Sequence, residues 1–175
     1  GENTAVGAFA LDTSNSTGNT AVGNAALTSL TTGSYNVAVG RNALADQTTA
    51  SDNVAIGNKA LESNTTGTNN VAVGANALDA NTTSSDNTGI GDNALGANTT
   101  GTQNTALGSG CLTANTTADE NTAVGYLALN DNTTGSLNTA VGAYCLDVNT
   151  TGADNVAMGA NALGANTTAN RNTAI

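Results

Sequence analysis

The chain has no histidine, no proline and no tryptophan. Without histidine, no Ser-His or Cys-His pair can form. Aromatic residues make up 2% of the 175, as one Phe and three Tyr. Side chains that normally fill a core are therefore scarce, and an ordinary globular domain does not fit the composition. Three basic residues stand against 13 acidic ones, a net charge of −10. That disfavours nucleic acid, whose phosphates need Lys and Arg, and an anionic membrane surface. The acidic excess reads as a solvated surface. No apolar run approaches the ~20 residues of a membrane span, so no membrane span is expected in this segment.

The two cysteines, Cys111 and Cys145, replace the same Ala of a repeat, two units apart. With a rise of ~4.8 Å per unit, their Cα atoms lie ~9.6 Å apart, beyond the ~7 Å reach of a disulfide. They read as small buried apolar side chains; an interchain bridge or a metal site is the other reading.

What the chain does have is one phrase, repeated from end to end. Asn53-Val54-Ala55-Ile56-Gly57 appears as Asn3-Thr4-Ala5-Val6-Gly7, as Asn36-Val37-Ala38-Val39-Gly40 and as Asn155-Val156-Ala157-Met158-Gly159. The leading Asn falls at Asn3, Asn19, Asn36, Asn53, Asn70, Asn87, Asn104, Asn121, Asn138, Asn155 and Asn172, with a first step of 16 residues and later steps of 17. This makes ten full units and part of an eleventh, spanning residues 1–175 as a single array. A fixed period of this length marks a solenoid.

The consensus unit is N-(T/V)-A-(V/I)-G-x-x-A-L-x-x-N-T-T-G-x-x. Columns one to four predict a short strand, with columns two and four on one face and Ala on the other. The Gly of column five closes each strand at a corner. Columns six and seven form an exposed turn, and column nine, always Leu, is the principal core residue. Columns twelve to fifteen have turn chemistry. Seventeen residues with a central Gly are too few for a helical hairpin. The expected fold is therefore all-β, a parallel β-solenoid with one coil per repeat. Val/Ile and Leu are expected inward, and the Asn of column one is expected to stack as a structural ladder.

Each coil offers few large apolar side chains, worth roughly 1.5–3 kcal/mol apiece, against ~1–2 kcal/mol of backbone entropy per ordered residue. Packing of several chains is expected to close the gap, with the Ala-bearing strands near a common axis. In column seventeen, Asp52, Asp86, Glu120 and Asp154 occupy alternate units. That spacing keeps like charges off adjacent strands.

The motif N-(T/V)-A-(V/I)-G, once per short coil over the whole chain, resembles the N-S-V-A-I-G repeats of YadA-like heads in trimeric autotransporter adhesins. It is also similar to repeats of phage tail fibres that carry Asn-Thr-Thr-Gly. The resemblance implies a left-handed β-roll, three chains around one axis, and an extracellular adhesive or structural fibre on a cell surface or virion. Here the unit is longer and the Ser after the Asn is missing.

Catalytic constellations are absent from the sequence: no carboxylate pair is set apart, and no phosphate loop, zinc spacing or calcium-roll signature occurs. The chain is not expected to be an enzyme or to need a cofactor or metal. Eight Asn-x-Ser/Thr sequons occur, at Asn15, Asn64, Asn81, Asn98, Asn115, Asn132, Asn149 and Asn166. They read either as turn chemistry or as glycosylation sites on surface turns. Binding residues are expected in the variable columns six, seven, ten and eleven, and Tyr126, Leu127 and Tyr144 are the candidate contact residues, for a host-surface, matrix or glycan ligand or for a neighbouring chain. The Thr pairs raise an alternative, an ice-binding or other ligand-binding monomeric solenoid, although adjacent Thr side chains should point to opposite faces. Because Gly1 and Ile175 both fall in mid-repeat, the rod is expected to continue, as a longer chain or by end-to-end stacking into filaments.

Overall fold

The computed structural model describes residues 2–12 and 14–175. No helix occurs among them; they form a parallel β-solenoid with one turn per repeat. The strands are β1 (Thr4–Val6), β2 (Thr20–Val22), β3 (Val37–Val39), β4 (Val54–Ile56), β5 (Val71–Val73), β6 (Thr88–Ile90), β7 (Thr105–Leu107), β8 (Thr122–Val124), β9 (Thr139–Val141), β10 (Val156–Met158) and β11 (Thr173–Ala174). They make one sheet in chain order. Pairing is parallel and in register, so that Val54, Ala55 and Ile56 lie beside Val71, Ala72 and Val73.

Glycine stops each strand for two reasons. Gly74 has φ +139°, and a Cβ built on it would lie 2.3 Å from the carbonyl oxygen of Gly91 in the next coil. Neither the backbone conformation nor the spacing between coils leaves room for a side chain. Past this corner, the chain repeatedly enters the left-handed region: Asn42 at φ 60°, Leu44 at 51° and Asp52 at 61° in a single coil. This region is unfavourable for L-residues. It is held by main-chain bonds between coils. Asn42 N–H donates to the Asn24 carbonyl of the preceding coil (3.0 Å), Leu44 N–H to the Ala60 carbonyl of the following coil (3.0 Å), and Asp52 N–H to the Ser34 carbonyl (3.1 Å). The ladder thus extends beyond the sheet and ties successive turns together.

The core corrects one sequence expectation. Leu of column nine does face inward: Leu27, Leu44, Leu61, Leu78, Leu95, Leu112, Leu129 and Leu146 are fully buried. The strand, however, presents Ala to the interior. Ala21, Ala38, Ala55, Ala72, Ala106, Ala123, Ala140 and Ala157 are fully buried, whereas Val6, Ile56, Leu107 and Met158 are 59%, 40%, 45% and 44% exposed. Val/Ile therefore point outward and the Ala face is not available to a neighbouring chain. Interior width is the reason. At Gly89, the one strand centre without a methyl, a built Cβ would already lie 3.1 Å from the Ala94 carbonyl and 3.3 Å from Leu78 Cγ. The coil is one methyl wide on this side, and a branched side chain would not fit.

Candidate functional site

The outward face of the sheet consists of columns two and four. Column two is Thr or Val, and column four is Val, Ile, Leu or Met. No charged residue occurs in either; column four makes a continuous apolar row along the rod for roughly 50 Å, at ~4.8 Å per coil, beside a column two that is Thr in seven strands and Val in four. Along the column-four row, Val6, Ile56, Leu107 and Met158 are exposed.

Two edges flank this strip. Column seventeen, immediately before each strand, holds Tyr35, Asp52, Asp86, Glu120, Leu137 and Asp154; columns six and seven, immediately after, hold Arg41, Lys59, Asp92, Tyr126, Leu127 and Tyr144. Tyr126 and Tyr144 are 51% and 40% exposed and meet edge to face, with ring centroids 5.4 Å apart and planes at 86°. Leu127, half-buried, follows Tyr126 in the chain and occupies the same column as Tyr144 one coil earlier. The structure thus brings the three candidate contact residues together on one edge, over coils eight and nine.

A small ionic cluster occupies the same edge nearer the start of the chain. Lys59 Nζ lies 3.0 Å from Glu62 Oε2, and Asn42 Nδ2 donates to Glu62 Oε1 at 2.8 Å. Burial alone would raise the Glu62 carboxyl, but the bonds from Lys59 and Asn42, with the charges of Lys59 and Arg41, outweigh it and hold it below its ordinary value. Asp79 on the next coil is pushed up by burial, with repulsion from Glu62 adding to it.

The interior is polar along one side. Each column-one Asn accepts, through Oδ1, the main-chain N–H of the next: Asn53 N–H to Asn36 (3.0 Å), Asn70 to Asn53 (2.9 Å), Asn104 to Asn87 (3.0 Å) and Asn172 to Asn155 (2.9 Å). A second amide ladder runs beside it, and it is made of the sequon residues. Asn81 Nδ2 donates to Asn64 Oδ1 (3.1 Å), Asn98 to Asn81 (3.1 Å), Asn115 to Asn98 (2.9 Å), Asn132 to Asn115 (3.3 Å), Asn149 to Asn132 (2.9 Å) and Asn166 to Asn149 (3.1 Å). The two ladders share acceptors: the Gly67 carbonyl receives Asn53 Nδ2 at 2.8 Å and Asn64 Nδ2 at 3.0 Å. Gln47, in the same column, bridges them directly, accepting from Asn53 (3.0 Å) and Asn64 (3.1 Å). Among the described residues, no buried side-chain nitrogen or oxygen lacks a partner.

This placement corrects the reading of the sequons as surface turns. Asn64, Asn81, Asn98, Asn115, Asn132 and Asn149 are fully buried, and their amide nitrogens are committed to the ladder. A glycan cannot be carried there by a closed coil. Asn166 is half-buried, and only Asn15 is exposed. The second ladder was not anticipated, but its signal was present: from the third coil an amide returns to column twelve, first as Gln47 and then as Asn, whereas the second coil has the buried Leu30 there.

The Thr pair of each turn divides its roles. The first donates along the rod, as from Thr65 Oγ1 to the Thr82 carbonyl at 2.9 Å, while the second, as at Thr66, Thr83 and Thr100, faces solvent. Both cysteines are buried and free, and burial pushes both thiols up. Among the described residues, no His/Cys/Asp/Glu group is arranged to hold a metal ion, and no helix is long and apolar enough to cross a membrane.

No protein-family model, curated protein or solved structure matches the chain.

Proposed function

We propose that the chain is a segment of an extracellular structural or adhesive fibre, in which three copies associate through the outward face of the sheet. One observation carries this reading: an uncharged strip of Val, Ile, Leu and Met that runs the length of the sheet and leaves Val6 59% and Leu107 45% exposed. Together with the Thr/Val column beside it, this row makes an uncharged face about 50 Å long and about 10 Å wide, roughly 500 Å², the size of the largest patches that monomers expose, which are often functional. Three such strips turned towards one axis hide one another. The resemblance to YadA-like heads supports the same number of chains and a place outside a cell or virion. The rod is then a scaffold, with specificity in the variable columns and a contact cluster at Tyr126, Leu127 and Tyr144.

Sedimentation or light scattering in native buffer tests this. The expected mass is about three times that of the 16.9 kDa chain, and Val124→Asp, which puts a carboxylate on the strip, should lower it to one chain while the coil stays folded. A monomeric wild-type protein refutes the reading. A monomer that also slows ice growth points instead to the solvent-facing Thr rows.

A further inference from the structure

The contact cluster has an identifiable occupant, the opposite edge of a second copy. This rests on the self-association proposed above. When copies are related by rotation about an axis along the rod, each interface is heterologous, and the edge before the strands of one copy meets the edge after the strands of the next. Copies that are parallel and level then face each other strand by strand. At β9, the edge before carries Leu137 and the edge after carries Tyr144, which are 50% and 40% exposed. At β4, the two are Asp52 and Lys59, and at β3, they are Tyr35 and Arg41.

We infer that the column-seventeen edge of one copy docks on the columns-six-and-seven edge of the next, in parallel and level, with Leu137 against Tyr144. Three contacts of different chemistry coincide in this alignment: an aliphatic side chain with an aromatic pair, a carboxylate with an ammonium, and a ring with a guanidinium. Tyr35 is 66% exposed and has no aromatic partner among the described residues. The distribution of charge fits as well. The edge before the strands carries four acids and Arg171, whose guanidinium already lies 3.8 Å from Asp154. The edge after carries the other two bases, Arg41 and Lys59, and a single acid, Asp92. The alignment has two unfavourable rungs: Asp86 beside Asp92 at β6, where two carboxylates face each other, and Glu120 opposite Tyr126 and Leu127 at β8, where a carboxylate meets an apolar pair. An antiparallel arrangement reverses the order of rungs and separates Leu137 from Tyr144.

A disulfide tests the alignment without ambiguity of origin. Within one chain, Leu137 and Tyr144 lie at opposite ends of the same strand, roughly 15–20 Å apart, so they cannot bridge intramolecularly. Leu137→Cys with Tyr144→Cys is made in a background of Cys111→Ala and Cys145→Ala, since Ala fills column eight in the other coils. After mild oxidation, a non-reducing gel should show a covalent ladder ending at the mass found by sedimentation. Leu137→Cys with Lys59→Cys, the misaligned control, should stay as single chains. An oligomer that forms no ladder with the aligned pair, or forms one with the control, overturns the docking of edges but leaves self-association standing. A monomer by sedimentation overturns both. As a second readout, Asp92→Asn should tighten association by about two- to fivefold at low ionic strength; weaker association counts against the level alignment.

Discussion

Asn104 offers a way to weigh the amide ladders bond by bond. Its Oδ1 accepts the Asn121 N–H at 3.0 Å. Its Nδ2 donates to the Ala118 carbonyl at 2.8 Å and to Asn87 Oδ1 at 3.3 Å. In Asn104→Ala, two of the three partners keep a bond. The Ala118 carbonyl still receives Asn115 Nδ2 at 3.1 Å, and Asn87 Oδ1 still receives the Asn104 main-chain N–H at 3.0 Å. Only the buried Asn121 N–H is orphaned. One orphaned donor costs about 1–3 kcal/mol and two lost bonds about 0.5–1.5 kcal/mol each, so the expected loss is roughly 2–6 kcal/mol. Asn104→Asp keeps the acceptor but turns the donor into a second oxygen, aimed at two oxygens, and buries a charge; at neutral pH, it should be the worse of the two. Its carboxyl is expected to be raised in the folded state. The penalty is then fully present above that folded value and is relieved as pH falls towards the unfolded value, where a protonated carboxyl can again donate to Ala118. Guanidinium unfolding followed by far-UV circular dichroism, at fixed chain concentration, measures both variants against Asn58→Ala on the exposed turn. An Asn104→Ala loss within about 0.5 kcal/mol of that control, or an Asn104→Asp deficit that does not shrink on acidification, refutes the reasoning.

Gly91→Ala should cost about 3 kcal/mol or more, because φ is +136° and the added Cβ would meet the Gly108 carbonyl at 2.4 Å; an unchanged denaturation midpoint would show that the corner can open. Asp79→Asn should raise the thermal midpoint at pH 7 by removing a carboxylate that is disfavoured by burial and by Glu62. The gain should fade below the ordinary value of 3.8, where wild-type Asp79 is itself neutral; a gain that is the same at pH 7 and pH 3 would be wrong. Glu62 runs the other way. Its stabilising bonds are fully present above the ordinary value of 4.5 and are lost as pH falls through the lowered folded value, so Glu62→Gln should narrow its gap to wild type on acidification. For the sequons, incubation of folded protein with an oligosaccharyltransferase and a lipid-linked glycan should leave Asn98 unmodified by peptide mass mapping; occupancy at Asn98 in soluble, folded material would contradict its place in the ladder.

The architecture was legible because it depends on period rather than on side-chain detail. Asn returning after 16 and then every 17 residues, Gly four residues later and Leu at column nine are enough to specify a coil, its corner and its filler. The edge cluster was partly legible, since Tyr126 and Tyr144 stand out in a chain with three tyrosines, though their ring contact depends on the rise between coils eight and nine. Of the two readings of the sequons, the surface one fails for the six buried Asn, because Asn-Thr-Thr-Gly has turn chemistry whether its Asn points out or in. Local preference cannot separate the two; the carbonyl of column fifteen does, by placing an acceptor three residues downstream, as Gly67 does for Asn64 at 3.0 Å.

The orientation of the strand shows where pattern reasoning stops. Alternation puts Ala on one face and Val or Ile on the other, but it is symmetric, and hydrophobic strength alone favours burying the larger residues. What breaks the symmetry is the distance across the coil. Columns eight and nine return directly behind the strand, so that Leu78 and the Ala94 carbonyl already crowd the space behind Gly89. Behind the strand there is room only for the methyls of Ala and the Leu of column nine, while the amide ladders, Gln47 and Leu30 fill the rest of the interior. The branched residues are left outside, on a flat sheet whose neighbours repeat the same chemistry every ~4.8 Å. A single chain therefore completes its own core without using column four. That column is then the surface a second copy would cover.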